Sequence, residues 1–141
     1  DHFVRPIAEA HARLGTVRAL VFHSHDGLDE CSVGAPTHIA DVHHGEVKEY
    51  EIDPSALGLA TATIEELKVR DLDHAAKLVW EILKGEDTGP ARDMTLLNAA
   101  AALVASDQAG DFAEGIARAK ESIDSGAYAQ TLEKLISASA E

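Results

Sequence analysis

Basic residues are scarce in this chain: 12 Lys and Arg stand against 25 Asp and Glu, a formal net charge of -13. Sequence-independent nucleic-acid binding needs a cationic face that displaces counterions. Anionic membranes attract polybasic segments. A chain this acidic is expected to engage neither nucleic acid nor membrane. Cysteine occurs once, as Cys31, so no disulfide can close within the chain, which suits a reducing cytoplasm. No apolar run approaches the ~20 residues of a membrane span, and no signal peptide opens the sequence. Aromatic residues make up only 4% against a hydrophobic total of 45%, so the core must be assembled from Ala, Leu, Val and Ile. The 141 residues suit one domain burying roughly two thirds of its unfolded surface.

The most informative stretch is Leu20-Val21-Phe22-His23-Ser24-His25-Asp26-Gly27-Leu28-Asp29-Glu30. The apolar run Ala19–Phe22 lacks polar alternation and reads as a strand buried on both faces, as inside a parallel sheet. It then turns abruptly polar, with Gly27 for a turn and carboxylates at Asp26, Asp29 and Glu30. Ligands of open α/β sheets lie beyond the carboxyl ends of the strands. An acidic loop at that address is expected to meet a hard cation and a phosphate substrate.

Val4, Ile7, His11 and Leu14 fall at helical spacing before a stop at Gly15. Helix followed by buried strand is half of a βαβ unit without its first strand. The chain opens on Asp1-His2-Phe3, almost inside that helix and without Met. Both observations lead to the expectation that residue 1 is not the natural start. Thr37–Val42 and Glu46–Ile52, joined by His43-His44-Gly45, predict an antiparallel hairpin at a sheet edge. Thr63 and Glu66 predict a capping box on a short helical turn. Four helices should follow. Their stripes are Leu72/Ala76/Val79/Leu83, Met94/Leu97/Ala101/Val104, Phe112/Ile116/Ala119/Ile123 and Tyr128/Leu132/Leu135. The expected fold class is α/β: an incomplete, mostly parallel sheet with an antiparallel hairpin and flanking helices. So few strands leave helical faces uncovered, for missing chain or a partner.

Asp29-Glu30 is the leading candidate site. Mg²⁺ is held by one or two carboxylates plus substrate phosphates and keeps waters for the rest. Asp26, beside Gly27, suits a turn better than ligation. His23, His25, His43 and His44 occupy two loop-like places that could meet with Cys31 in a zinc-type site, although the spacing fits no standard pattern. The stronger expectation for Cys31 is a small buried residue rather than a nucleophile. Asn98, mid-helix among apolar neighbours, should hydrogen-bond a loop or join a site. The Gly85–Arg92 segment opens a helix that could bind an anion, but Glu86 and Asp87 weaken that role, and no Walker or dinucleotide fingerprint is present.

Five stretches in order resemble the anthranilate phosphoribosyltransferase family. Val21-Phe22-His23 … Asp26-Gly27-Leu28-Asp29-Glu30 is similar to its strand and Gly-Leu-Asp-Glu loop. Pro6-Ile7-Ala8-Glu9 … Leu14-Gly15 is similar to the preceding helix. Tyr50-Glu51-Ile52-Asp53-Pro54 … Leu57-Gly58-Leu59 is similar to the segment after the hairpin. Gly89-Pro90-Ala91-Arg92-Asp93 … Leu97-Asn98-Ala99-Ala100 matches the Asn-Ala-Ala helix, and Ala113-Glu114-Gly115 … Ile123-Asp124-Ser125-Gly126-Ala127 the tail. Val69-Arg70-Asp71-Leu72-Asp73-His74-Ala75-Ala76 departs from the usual Gly-Gly-Asp approach to a helix.

The resemblance implies transfer of phosphoribosyl from PRPP to anthranilate in tryptophan biosynthesis, by a cytoplasmic homodimer using Mg²⁺. Asp29 and Glu30 match the family's metal-binding acids. The family's Gly-rich PRPP loop and anthranilate-binding Arg have no match here. The resemblance is thus to the C-terminal part of the α/β domain only, with the N-terminal helical domain and the first part of the α/β domain absent. Alone, the chain should be inactive. The alternatives are a related phosphorylase or paralogue of the same fold, and a non-catalytic acidic interaction module.

Overall fold

The computed structural model describes residues 1–139. Helix α1 (Val4–Arg13) leads into strand β1 (Arg18–Ser24), and β2 (Thr37–His43) and β3 (Glu46–Ile52) follow. After a 3-10 turn at Pro54–Leu57 come α2 (Ile64–Leu67), α3 (Leu72–Leu83), α4 (Pro90–Ala105), α5 (Phe112–Asp124) and α6 (Ala127–Ser139). No helix among the described residues is long and apolar enough to cross a membrane.

The sheet has the order β1-β2-β3 with both pairings antiparallel. The α/β class, the hairpin and the flanking helices agree with the sequence. The strand directions do not: the parallel arrangement expected around the Ala19–Phe22 run is not formed among the described residues. The cause is the connection. Residues 25–36 contain no helix to carry the chain across a face, so it turns back beside β1. The hairpin uses His44 and Gly45, both at positive φ (49° and 85°), the geometry of a tight two-residue turn.

Alternation along the strands divides the apolar residues between two faces. Ala19, Val21, Ala40, Val42 and Val47 meet Val4, Ala8 and Ala12 of α1. Leu20, Phe22, Ile39, Tyr50 and Ile52 face α4 through Leu97, Ala100, Ala101 and Val104. The most enclosed strand is β2, not β1, whose side chains are mostly half-buried because its outer edge is unpaired among the described residues. Asp41 is accommodated in β2 by Arg18, whose Nη2 lies 3.0 Å from its carboxylate.

Two helical stripes are rotated from their predicted faces. Helix α1 turns Val4 and Ala8 inward and leaves Leu14 82% exposed. In α3, Ile82 and Leu83 are buried whereas Leu72 is 83% exposed. In α1, Ala8 packs in one buried cluster with Ala40 and Val42 of the sheet. Helices α4 and α5 turn their predicted stripes inward, with Met94 and Ile116 half-buried and the other stripe residues buried, and they cross at Gly115. A Cβ on Gly115 would stand 2.8 Å from that of Ala100, so only glycine permits this approach. Helix α6 buries none of its residues.

Candidate functional site

The loop of residues 25–36 leaves the carboxyl end of β1 and returns into β2. Its interior is a polar scaffold. The Ser32 hydroxyl donates to Asp26 Oδ2 at 2.5 Å, and the Leu28 amide lies 3.4 Å from Oδ1. Ser32 Oγ accepts from the Gly34 amide at 2.9 Å, and the Ser32 amide donates to Thr37 Oγ1 at 3.3 Å. Burial works against ionisation of Asp26, yet hydrogen bonds from Ser32, Ser24 and the Leu28 amide outweigh it and hold the carboxyl below its ordinary range. Asp26 is thus a turn-organising acid, as its place beside Gly27 suggests.

Two further contacts brace the loop from outside. Asn98 on α4 accepts from the Cys31 amide at 2.9 Å and donates to the Cys31 carbonyl at 2.8 Å, with its second proton on the Met94 carbonyl at 3.0 Å. Gly34 packs so closely that a Cβ would stand 2.6 Å from the Ala62 carbonyl oxygen. Cys31, Ser32 and Val33 are fully buried behind the acidic pair. Burial, with a smaller contribution from the Glu30 charge, pushes the Cys31 thiol up to about 12. That thiol is a core side chain and not an activated nucleophile.

Asp29 and Glu30 are exposed on this braced loop. Neither forms an ion pair with a basic side chain among the described residues. Glu30 borders a groove of about 740 Å³ lined by Leu78, Met94, Asn98 and Tyr128 among others. Two unpaired carboxylates offer oxygen donors of the type that Mg²⁺ takes, with its remaining positions left to water and phosphate. No set of three or more His, Cys, Asp or Glu converges on a metal position among the described residues.

The histidines do not assemble. His23 pairs across the sheet with His38, whereas His43 pairs with Arg18 at the opposite end of β1, about 17 Å away along the strand. His25 contacts Glu51 at 2.8 Å, and His38 lies between Asp1 at 2.8 Å and Glu49 at 3.3 Å. Arg92, the one basic residue of the Gly85–Arg92 segment, is paired with Asp124 at 2.8 Å. Sequence reasoning missed Ser32 and Thr37, because nothing local distinguishes a scaffold hydroxyl from a solvated one.

The profile of the "Glycosyl transferase family, a/b domain" matches residues 1–129. The chain is 42% identical over 137 residues to an anthranilate phosphoribosyltransferase of Thioalkalivibrio sulfidiphilus, covering 97% of this chain and 40% of that protein. Among solved structures, anthranilate phosphoribosyltransferase from Thermus thermophilus superposes with a TM-score of 0.85 at 34% identity, over 96% of this chain and 40% of that one. The Saccharomyces cerevisiae enzyme in complex with PRPP and Mg gives a TM-score of 0.83 at 27% identity, over 94% of this chain and 38% of that one. The chain spans about 40% of the length of the curated relatives it matches. With residues 1–129 matched by the model of its a/b domain, the chain belongs to the glycosyl transferase family.

Proposed function

We propose that this chain is the C-terminal segment of a phosphoribosyltransferase α/β domain, contributing the acidic metal-binding loop for phosphoribosyl transfer from PRPP to anthranilate. The observation that carries the reading is the exposed Asp29-Glu30 pair, free of basic partners, on a braced loop beyond β1 in a chain 42% identical to an anthranilate phosphoribosyltransferase. In this reading Asp29 and Glu30 hold Mg²⁺, which when bound neutralises charge on a diphosphate leaving group. The role of the chain's own residues is orientation. The Asp26–Ser32–Thr37 scaffold and the Asn98 grip fix the loop, so the two acids do not have to be ordered when substrate arrives.

The cradle for PRPP and the site for anthranilate come from sequence outside this chain. The exposed Phe3 and Leu14 near and after α1, Leu72 on α3 and Leu135 on α6 support a covering segment or partner at those faces. A cytoplasmic setting belongs to the same reading, and a chain with the single, buried Cys31 needs no oxidising compartment. Homodimerisation of the whole protein is part of the same proposal.

The test replaces the matching segment of the Thermus thermophilus enzyme with this chain and assays the product of PRPP and anthranilate. We expect turnover by the chimera and none by the 141-residue chain alone. A folded chimera without turnover, or turnover by the isolated chain, contradicts the reading.

A further inference from the structure

We infer that Asn98 is a positioning residue for the acidic pair, its amide gripping the Cys31 backbone so that the backbone of Asp29 and Glu30 is held in one arrangement from which their carboxylates reach a divalent cation. This rests on the metal reading of Asp29 and Glu30.

Two successive peptide planes meet at Cys31. The Cys31 N–H lies in the same rigid plane as the Glu30 carbonyl, and the Cys31 carbonyl lies in the plane that leads to Ser32. Asn98 bonds both groups, at 2.9 and 2.8 Å, so one side chain sets two successive planes. The same amide is anchored at 3.0 Å to the Met94 carbonyl of its own helix, which fixes its rotamer. On the other side of the pair, the Leu28 carbonyl accepts from the Ser24 amide at 3.0 Å at the end of β1. Asp29 and Glu30 are thus a two-residue span between a point tied to the sheet and a point tied to α4. Their backbone has little freedom although their side chains are exposed.

An asparagine inside a helix lowers helix propensity relative to alanine. Here it stands among Leu97, Ala100 and Ala101, where an apolar residue would serve packing alone. Asn98 also lines the groove that Glu30 borders. It stands to the cation site as groups that orient metal ligands do, and loss of such a group commonly weakens metal binding about 10- to 100-fold.

The test is an NMR titration of the 141-residue chain with Mn²⁺ alone, reading paramagnetic broadening of the Glu30 amide signal against amides of α5 as reference. For Asn98→Ala, the Mn²⁺ concentration that half-broadens Glu30 should rise about 10-fold, with the α5 signals unchanged. Asn98→Gln keeps the amide and most of the volume but displaces the grip, and it should shift in the same direction; it also covers the case in which the alanine variant does not fold. Val104→Ala, which weakens the same core without removing a hydrogen bond to the loop, should leave the Glu30 midpoint where it was. An unchanged midpoint in a folded Asn98 variant overturns the inference, as does an equal shift in Val104→Ala. The double variant Asp29→Ala/Glu30→Ala separates the two claims. If it leaves loop broadening intact, the metal reading fails; if it abolishes broadening while the Asn98 variants do not move it, only the positioning role fails.

Discussion

Gly34 lies so close to Ala62 that a Cβ added to it would stand 2.6 Å from the Ala62 carbonyl oxygen. That oxygen belongs to backbone and cannot rotate away as a flexible side chain would. Gly34 is not at positive φ, so its requirement for glycine is one of space and not of backbone conformation. The Gly34→Ala variant should therefore push the loop off the segment before α2. The expected cost is about 1–3 kcal/mol, read from urea unfolding. The Asp29 and Glu30 amide shifts should move with it. An unchanged unfolding midpoint would show that the two backbones are less constrained than this contact requires.

Asp26 gives a pH signature whose sign is fixed by its hydrogen bonds. Its folded-state carboxyl titrates below the ordinary aspartate value because Ser32, Ser24 and the Leu28 amide together outweigh its burial. A depressed carboxyl contributes stability that is fully present above the unfolded value of about 3.9, and loses it as pH falls through the folded value. Asp26→Asn should consequently be less stable than the native chain across neutral pH. The difference between the two should shrink only in acid, below about pH 4. Unfolding free energies measured from acid to neutral pH check this, and a difference that is flat into strong acid would remove Asp26 from the ionised scaffold.

Cys31 should behave as a core residue. Its thiol is fully buried and pushed up to about 12 by burial. At about pH 8, below the ordinary thiol value of ~8.5, a reagent such as DTNB should leave the folded chain unmodified and react completely once guanidinium unfolds it. Fast modification of the folded chain would instead mean that the loop opens and uncovers its inner side.

Element types were legible wherever a local cue determined them. Thr63 and Glu66 form the reciprocal capping box, with the Glu66 carboxylate 2.8 Å from the Thr63 amide. The turn at His44-Gly45 was equally local. Faces were less legible. The pattern Val4/Ile7/Leu14 is as helical as Val4/Ala8/Ala12, and only the sheet beneath decides that the alanine side packs. Strand direction was not legible either, because an apolar run such as Ala19–Phe22 suits any strand covered on two sides, whichever way its neighbour runs. At the site, the acidic pair could be read from its position after the strand. Its supports could not: Ser32, Thr37, Gly34 and the contact with Ala62 lie across bends in the chain, and Asn98 is far from Cys31 in sequence.

In the proposed role, Asp29 and Glu30 carry the metal dependence of phosphoribosyl transfer. The most direct measurement is the Mg²⁺ dependence of anthranilate turnover by the chimeric enzyme, with and without Asp29→Ala/Glu30→Ala. The account predicts that the double variant needs at least about 10-fold more Mg²⁺ for half-maximal turnover, or loses turnover altogether while remaining folded. Superposable Mg²⁺ curves for the two proteins would contradict it.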